Sequence, residues 1–210
     1  MQTMKGILFS KPMYDAVINS SKTMTRRLIK PQPICLQGRA GGRDIGNPVG
    51  ENGLIKPRYL KGETVYLKEP IRLDIDAKTL HLKYSDVTVP IELPTNFPLV
   101  ERFMKLQNRS KIGYYPKMYI PIWISKDIFR KIEILSVKAE RLQDISDSDC
   151  ESEGIVPEWQ NGFVIGWRNK TDGITYEKRK QAFAALINSI KKGAWERNEW
   201  YWAYSFKLIK

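Results

Sequence analysis

Short segments in which apolar and polar residues alternate recur along the chain and constrain it to a fold rich in β-strands. They are "KGILFS", "KGETVYLKEP", "TLHLKYSD", "FRKIEILSVKAERL" and the closing "EWYWAYSFKLIK". A period of two is typical of a strand with one buried face. We predict that "TLHLKYSD" pairs with the "KGETVYLKEP" strand and that "VTVPIELP" forms an edge strand limited by its prolines. Alternate residues of the closing strand should face opposite sides.

Three segments predict helices. Residues 11–19 carry apolar side chains at i, i+3 and i+4. "DISDSDCESEGI" predicts a short acidic helix, capped by Ser146 or Asp144 and ended by Gly154. A longer helix is predicted from Tyr176 onward, and its apolar face consists of Phe183, Leu186, Ile187 and Ile190. Strands of mixed length around a few short helices predict an α+β fold with a small barrel as its core.

Two segments show no sustained period. Residues 31–58 are rich in Gly, Pro, Asn and Arg, which predicts a long loop or an insertion. A second, variable segment spans about residues 86–117. We interpret the 210 residues as a single domain that contains these two irregular segments.

The charge balance indicates an anionic partner. The chain has 35 Lys and Arg against 23 Asp and Glu, a formal net charge of +12. Such an excess favours nucleic acid or a nucleotide-like ligand, because phosphates release counterions when they meet Lys and Arg. The alternative is a soluble protein that happens to be basic.

Cysteine usage and hydropathy bear on location. Cys35 and Cys150 are far apart and form no CxxC motif, which is typical of a reducing compartment, although one pairing stays open. No segment approaches the roughly 20 apolar residues that a transmembrane helix needs. We therefore expect a cytoplasmic protein with no membrane partner.

The sequence lacks the residues that several common metal, catalytic and phosphate-binding sites require. His81 is the one histidine, and with two separated cysteines it makes neither a usual zinc set nor a Ser–His–Asp or Cys–His arrangement. No GxxxxGK[ST] motif occurs, and no GxGxxG follows a strand. We expect no metal and no cofactor, and we interpret His81 as a surface residue.

The remaining chemistry lies in "SSKTMTRRLIKPQP", where Lys22 precedes Thr25 by three residues and Arg26 follows. A lysine whose pKa is lowered by burial or by a nearby cation can act as a base and activate a threonine hydroxyl. From composition alone, a solvated basic turn after a helix, with Thr23 as a cap, is the simpler interpretation.

The segment "SKPMYDAVINSSKTMTRRLIKPQP" also resembles the opening of ASCH-domain proteins, in which a short helix precedes a G-[RK]-K-T-x-T-x-R-like run. Its "R-x-I-K-P-Q-P" form resembles the longer ASCH proteins of bacteriophages and prophages. Three further blocks are similar in the same order, namely "KGETVYLKEP", "KAERLQDISDSDCESEGI" and "FAALINSIKKGAWERNEWYWAYSFK". The resemblance covers most of the chain and is weak over about 31–58 and 86–112.

The resemblance implies a PUA-like fold, a small mixed β-barrel with flanking short helices, and a cleft that binds RNA or nucleosides. Some ASCH proteins are amidohydrolases that remove the acetyl group of N4-acetylcytidine with a Lys, a Thr and a Glu. Matched motif by motif, Lys22, Thr25 and Glu153 take these three positions. Arg26 matches the basic residue that follows, or Arg27 takes that role.

Other residues are expected to contact the ligand. Thr23 lies within the motif, Glu69 offers a second pocket carboxylate, and Trp195 is the tryptophan expected to be partly exposed and to stack a base. Three functional hypotheses result. The first is binding of RNA or a modified nucleoside through a basic cleft. The second is amide hydrolysis of an N4-acetylcytidine-like substrate. The third and weaker one is a phage-associated interaction protein without catalysis.

Overall fold

A computed structural model of the chain describes residues 4–40, 43–74, 79–85, 87–90 and 129–209. The chain divides into two compact units. The first comprises Met1–Tyr14, Thr64–Lys131 and Lys210, and the second comprises Asp15–Glu63 and Ile132–Ile209.

Among the described residues, strands dominate both units. In chain order they are β1 (Gly6–Leu8), β2 (Met24–Leu28), β3 (Cys35–Ala40), β4 (Arg43–Gly50), β5 (Gly53–Leu54), β6 (Thr64–Lys68), β7 (Ile71–Asp74), β8 (Thr79–Leu82), β9 (Val87–Pro90), β10 (Lys131–Arg141), β11 (Val156–Gln160), β12 (Phe163–Arg168), β13 (Thr175–Tyr176) and β14 (Trp200–Ile209). The α-helices are α1 (Lys11–Ile18), α2 (Asp147–Ser152), α3 (Arg179–Ile190) and α4 (Ala194–Arg197), and a 3₁₀ turn spans Leu142–Asp144.

In the first unit, β1 pairs in parallel with β6, and β7, β8 and β9 form an antiparallel sheet in that order. The edge position predicted for "VTVPIELP" is confirmed by β9. The pairing predicted for β8 is wrong, because β8 pairs with β7 and not with β6. Pro70 explains the difference. It lies two residues after the end of β6 and has no main-chain N–H, so the chain starts a new strand, β7, at the next residue and offers β8 a nearer partner.

In the second unit, β14 lies between β10 and β2. β2 runs antiparallel to β14, with Thr25 opposite Tyr204 and Arg26 opposite Ala203. The closing strand is confirmed, and both of its faces are buried over Tyr201–Tyr204. Two covered faces explain why its sequence is almost continuously apolar.

The helix predicted after Tyr176 is α3. It buries Phe183, Leu186 and Ile187 as expected. Ile190 is 70% exposed, so its predicted place on the apolar face is wrong. As the last residue of the helix, it lies beyond the surface that the preceding turns cover.

Residues 31–58 are not a loop, because they contain an antiparallel sheet of β3, β4 and β5. Main-chain hydrogen bonds hold such a ladder whatever the side chains are, so a strand in a Gly- and Asn-rich segment leaves no periodic signal. Of the variable segment at 86–117, β9 is described, whereas residues 91–117 lie outside the described part.

The protein is therefore a mixed α+β protein, rich in strands and with few helices. Over the described ranges the sheets are open, and no closed barrel is present. None of the described helices is long and apolar enough to cross a membrane. The single-domain organisation stays a prediction.

The predicted acidic helix is confirmed as α2. The Ser146 side chain caps it by accepting a hydrogen bond from the Asp149 N–H at 3.1 Å, so Ser146 and not Asp144 is the N-cap. Gly154 ends the helix with φ +99°, a conformation that side-chain-bearing residues rarely adopt. The two ends together determine where Glu153 stands.

Replacing Ser146 by Ala should destabilise the protein by about 1 kcal/mol, because an amide at the helix N-terminus loses its acceptor. Ser146→Asp is the matched control and should retain most of the stability, because Asp caps equally well. Urea denaturation followed by circular dichroism measures both. Equal stability of the Ala and wild-type proteins would contradict the assigned cap.

Candidate functional site

Main-chain hydrogen bonds hold Lys22 and Thr23 from three sides. The Lys22 N–H donates to the Ala16 carbonyl at 2.9 Å, and the Thr23 N–H donates to the Ser152 carbonyl at 2.8 Å. The Thr23 carbonyl accepts from the Phe206 N–H at 2.8 Å. The segment is thus tied to α1, α2 and β14. The Thr23 side chain is exposed, so this residue contributes through its backbone.

The distant carboxylate that meets this lysine is Glu153. Lys22 Nζ lies 2.5 Å from Glu153 Oε2 and donates a second hydrogen bond, of 2.7 Å, to the Glu153 carbonyl. Both side chains are buried, with 3% and 4% exposure. One residue therefore accepts from the lysine through both its backbone and its side chain, which directs the amine to a single position.

Arg26 supplies a second cation to the same carboxylate. Its Nη1 donates to Glu153 Oε1 at 3.0 Å, while its Nη2 donates to Asp149 Oδ2 at 3.0 Å and to Glu140. The guanidinium lies 5.7 Å from the ring centroid of Phe183, and its side chain is fully buried. Three carboxylates and an aromatic face therefore surround it.

Burial and charge act on the two cations differently. Burial lowers the pKa of Lys22, the Glu153 carboxylate opposes this, and Arg27 and Arg26 add to the lowering, so that the net direction is down. Burial also works against the charge of Arg26, but Glu153 and Glu140 outweigh it and raise its pKa. Arg26 stays charged, whereas the proton of Lys22 is held less firmly than that of an ordinary lysine.

Thr25 and Arg27 lie on the other face of β2 from Arg26, because side chains alternate along a strand. Thr25 is buried and stands opposite Tyr204. None of the hydrogen bonds found among the described residues joins its hydroxyl to Lys22 or Glu153. Burial lowers the pKa of Arg27, against the attraction of Tyr59, Glu153 and Tyr204.

Tyr204 and Tyr59 close this second face. Their rings meet edge to face at 5.3 Å between centroids, and both are buried. Burial raises the pKa of Tyr204 to about 12, although the main-chain amides of Arg58 and Tyr59 pull it down. The phenol is thus neutral across the physiological range and acts as a wall beside Thr25.

Two of the predicted ligand contacts are placed elsewhere. Glu69 belongs to the first unit, where it is fully buried and accepts hydrogen bonds from the Tyr14 hydroxyl, the Tyr84 N–H and the N–H and hydroxyl of Ser85. These hydrogen bonds explain why Glu69 is buried, because its carboxylate holds the turn at Tyr84 and Ser85. Its ligand-binding role stays a prediction.

Trp195 lies in α4, is partly exposed as predicted, and packs edge to face on Phe183 with centroids 6.2 Å apart. Phe183 in turn faces the Arg26 guanidinium. Trp195 therefore supports the site through Phe183, and its stacking on a base stays a prediction.

Three residues of the site were not predicted as parts of it, namely Glu140, Asp149 and Phe183. Asp149 was visible only as one of several acids in "DSDCESE", and Glu140 only as one of the charged residues of the β10 segment. Neither pattern distinguishes a buried carboxylate from a solvated one. The arginine pair at 26 and 27 was the one signal in the sequence for these carboxylates, because a guanidinium that is buried requires counter-charges nearby.

The side chains offer little to a metal. No group of three or more His, Cys, Asp or Glu residues able to hold one occurs in the part of the chain that the structure describes. Cys35 and Cys150 are both free thiols. Cys150 is the buried residue of α2, and burial raises its pKa to about 12.

No protein-family model, no curated protein and no solved structure matches this chain. The resemblance to ASCH domains therefore stays a prediction carried by the quoted motifs alone. The distances, burial and charges of Lys22, Arg26 and Glu153 alone define the site.

The shared carboxylate predicts an asymmetry between two substitutions. Glu153→Gln should destabilise the protein by about 3–5 kcal/mol, because it leaves the buried Lys22 ammonium without a counter-charge. Lys22→Met should cost less than half of this, because Glu153 keeps Arg26 and the methionine fills a similar volume. Urea denaturation of both variants measures the difference. Equal losses, or a larger loss for Lys22→Met, would show that the carboxylate is not shared in this way.

Proposed function

We propose that the second unit carries a nucleoside site at which Lys22, Thr25 and Glu153 hydrolyse an acyl amide. The observation that carries the proposal is the fully buried lysine with a lowered pKa, held at one position by the side chain and carbonyl of Glu153. Because its pKa is lowered, this amine loses its proton more readily than an ordinary lysine and suits proton transfer.

The arrangement suits a reacting site better than a phosphate-binding surface. Lys22 is 3% exposed and already paired, and Arg26 is neutralised by Glu153, Asp149 and Glu140. A cation that is buried and compensated attracts a polyanion weakly, since phosphate contacts depend on exposed, uncompensated charge. The basic cleft of the first hypothesis therefore finds less support at these residues than the hydrolytic one.

In the proposed reaction, neutral Lys22 takes the proton of the Thr25 hydroxyl as its oxygen attacks the acyl carbonyl carbon. The carbon–nitrogen bond then breaks, and Lys22 returns the proton to the departing amine. Water hydrolyses the threonine ester, which releases the carboxylic acid and restores Thr25. Glu153 holds Lys22 throughout. The Thr25–Lys22 hydrogen bond has to form with substrate bound, as is common for catalytic contacts.

The substrate class comes from the ASCH resemblance, which implies a cytidine acylated on N4. The PUA-like barrel with flanking short helices is part of the same proposal. Tyr59 and Tyr204 support it, because they place buried aromatic rings on the Thr25 side of β2, where a base would be received.

A second candidate function is binding of RNA or a modified nucleoside without turnover. The net charge of +12 favours it, because the excess of basic residues extends far beyond this site. It is also compatible with a Thr25 hydroxyl that is not hydrogen-bonded to Lys22.

Purified protein should release acetate and cytidine from N4-acetylcytidine. Lys22→Met and Thr25→Val should abolish turnover, whereas Thr25→Ser should keep a measurable rate because it retains the hydroxyl. The rate should rise with pH as Lys22 loses its proton and should level off below the ordinary lysine value of 10.5. Liquid chromatography of the products measures all of these.

The matched control is Ser148→Ala, which removes an exposed hydroxyl on α2 and should leave the rate unchanged. No turnover by wild-type protein, with retained binding of the nucleoside in calorimetry, would replace hydrolysis by the second function. Full turnover by Thr25→Val would exclude the threonine as nucleophile.

A further inference from the structure

The second unit contains a β-hairpin with an apolar, exposed end. It consists of β11, a turn at Asn161 and Gly162, and β12, and we call it the hairpin arm. Asn161 and Gly162 have φ of 50° and 82°, the left-handed values that a tight two-residue hairpin turn requires. The arm is thus a defined β-ribbon up to its end.

The end of the arm carries four large apolar side chains in contact with solvent, which we call the apolar tip. Trp159 is 62% exposed and Phe163 is 75% exposed. Val164 and Ile165 are exposed by 43% and 52%. No charged residue occurs from 159 to 167, "WQNGFVIGW". Such a cluster at one tip is a mark of a binding surface, whereas single exposed apolar residues are ordinary.

Both faces of the ribbon share in the tip. Trp159 stands opposite Val164, so these two lie on one face. Phe163 is the neighbour of Val164 along β12 and therefore points to the other face. A partner with a flat surface would contact one face of the ribbon. A ribbon that inserts between stacked bases is contacted on both of its faces.

The arm starts and ends at the candidate site. β11 begins three residues after Glu153. Beyond β12, Lys170 Nζ donates to the hydroxyl of Ser21, the neighbour of Lys22, at 2.9 Å. A strand of this length spans roughly 16 Å at about 3.3 Å per residue. A ligand chain that leaves the site along the arm therefore meets the apolar tip after a few nucleotides.

The base of the arm is firmly anchored. The buried Asn169 amide donates to Asp172 at 2.7 Å and to the Ala182 carbonyl at 3.3 Å. The Arg179 guanidinium stacks on the Trp167 ring at 3.6 Å and pairs with Glu151 of α2. The arm is therefore held against α2, the helix that precedes Glu153, while the four side chains of its tip are exposed.

We propose that the apolar tip stacks on bases of single-stranded RNA whose modified nucleotide occupies the Lys22–Glu153 site, so that an RNA chain binds more tightly than a free nucleoside. The choice of RNA rests on the proposed function. The net charge of +12 makes a polyanion the complementary partner. Unpaired bases offer the π-faces that exposed Trp and Phe side chains recognise.

The test measures the affinity for an unmodified, fluorescein-labelled single-stranded RNA of about twelve nucleotides, a length typical of such sites, by fluorescence anisotropy. Trp159→Ala and Phe163→Ala should each weaken binding about ten-fold, the loss of one stacked base. Trp159→Phe should restore most of the affinity. Ile190→Ala, which removes an equally exposed apolar side chain on α3, should change nothing.

The salt dependence separates stacking from charge. The slope of affinity against salt concentration should be the same for Trp159→Ala and wild type, because the substitution removes no phosphate contact. Wild-type affinity in both tip variants would overturn the proposal. A wild-type dimer in sedimentation that Trp159→Ala converts to monomer would also overturn it, because a second copy would then cover the tip.

Hydrolysis of free N4-acetylcytidine distinguishes the two proposals. The tip variants should keep the wild-type rate on the free nucleoside. RNA binding that depends on the tip, without any hydrolysis, would contradict the proposed hydrolytic function and support the proposed RNA-binding surface. Hydrolysis together with RNA binding that does not depend on the tip would support the hydrolytic function and contradict the proposed RNA-binding surface.

Discussion

A buried carboxylate shared by two cations is the interaction on which the second unit depends. Glu153 accepts from Lys22 through one oxygen and from Arg26 through the other. Removing these charges from water is costly, and their mutual attraction repays the cost only when geometry and hydrogen bonding are good. The backbone bonds of Lys22 and Thr23 and the capped helix α2 supply that geometry. Local structure and charge are therefore coupled here.

The distribution of counter-charges gives the two cations different tasks. Arg26 meets three carboxylates and a phenyl ring, an arrangement that keeps it charged and immobile. Within the described ranges, Lys22 pairs with the carboxylate of Glu153 and no other, and burial shifts its pKa downward. A stability role explains the first arrangement. The second shifts the pKa in the direction that suits the proton transfer proposed for Lys22.

Local sequence patterns predicted the individual helices and strands well, but they predicted strand pairing and contacts between distant residues poorly. The cap and end of α2, the long strand β10 and the buried face of α3 follow from spacing and propensity, which act within a few residues. The partner of β8 and the sheet within residues 31–58 depend on which main-chain groups meet, which side-chain periodicity does not encode. Lys22 and Glu153 are 131 positions apart, and family resemblance rather than any spacing predicted their meeting. Glu140 and Asp149 were not singled out, because burial of a carboxylate is a property of the fold.

The lowered pKa of Lys22 is the central claim, and it is measured directly by NMR titration of the protein with ¹³C-labelled lysine Cε. Comparison with Lys22→Met identifies the resonance. The account predicts a midpoint clearly below 10.5, the ordinary lysine value, because burial outweighs the single carboxylate. A midpoint at or above 10.5 would show that the ion pair dominates, and Lys22 would then be a structural cation and not a base.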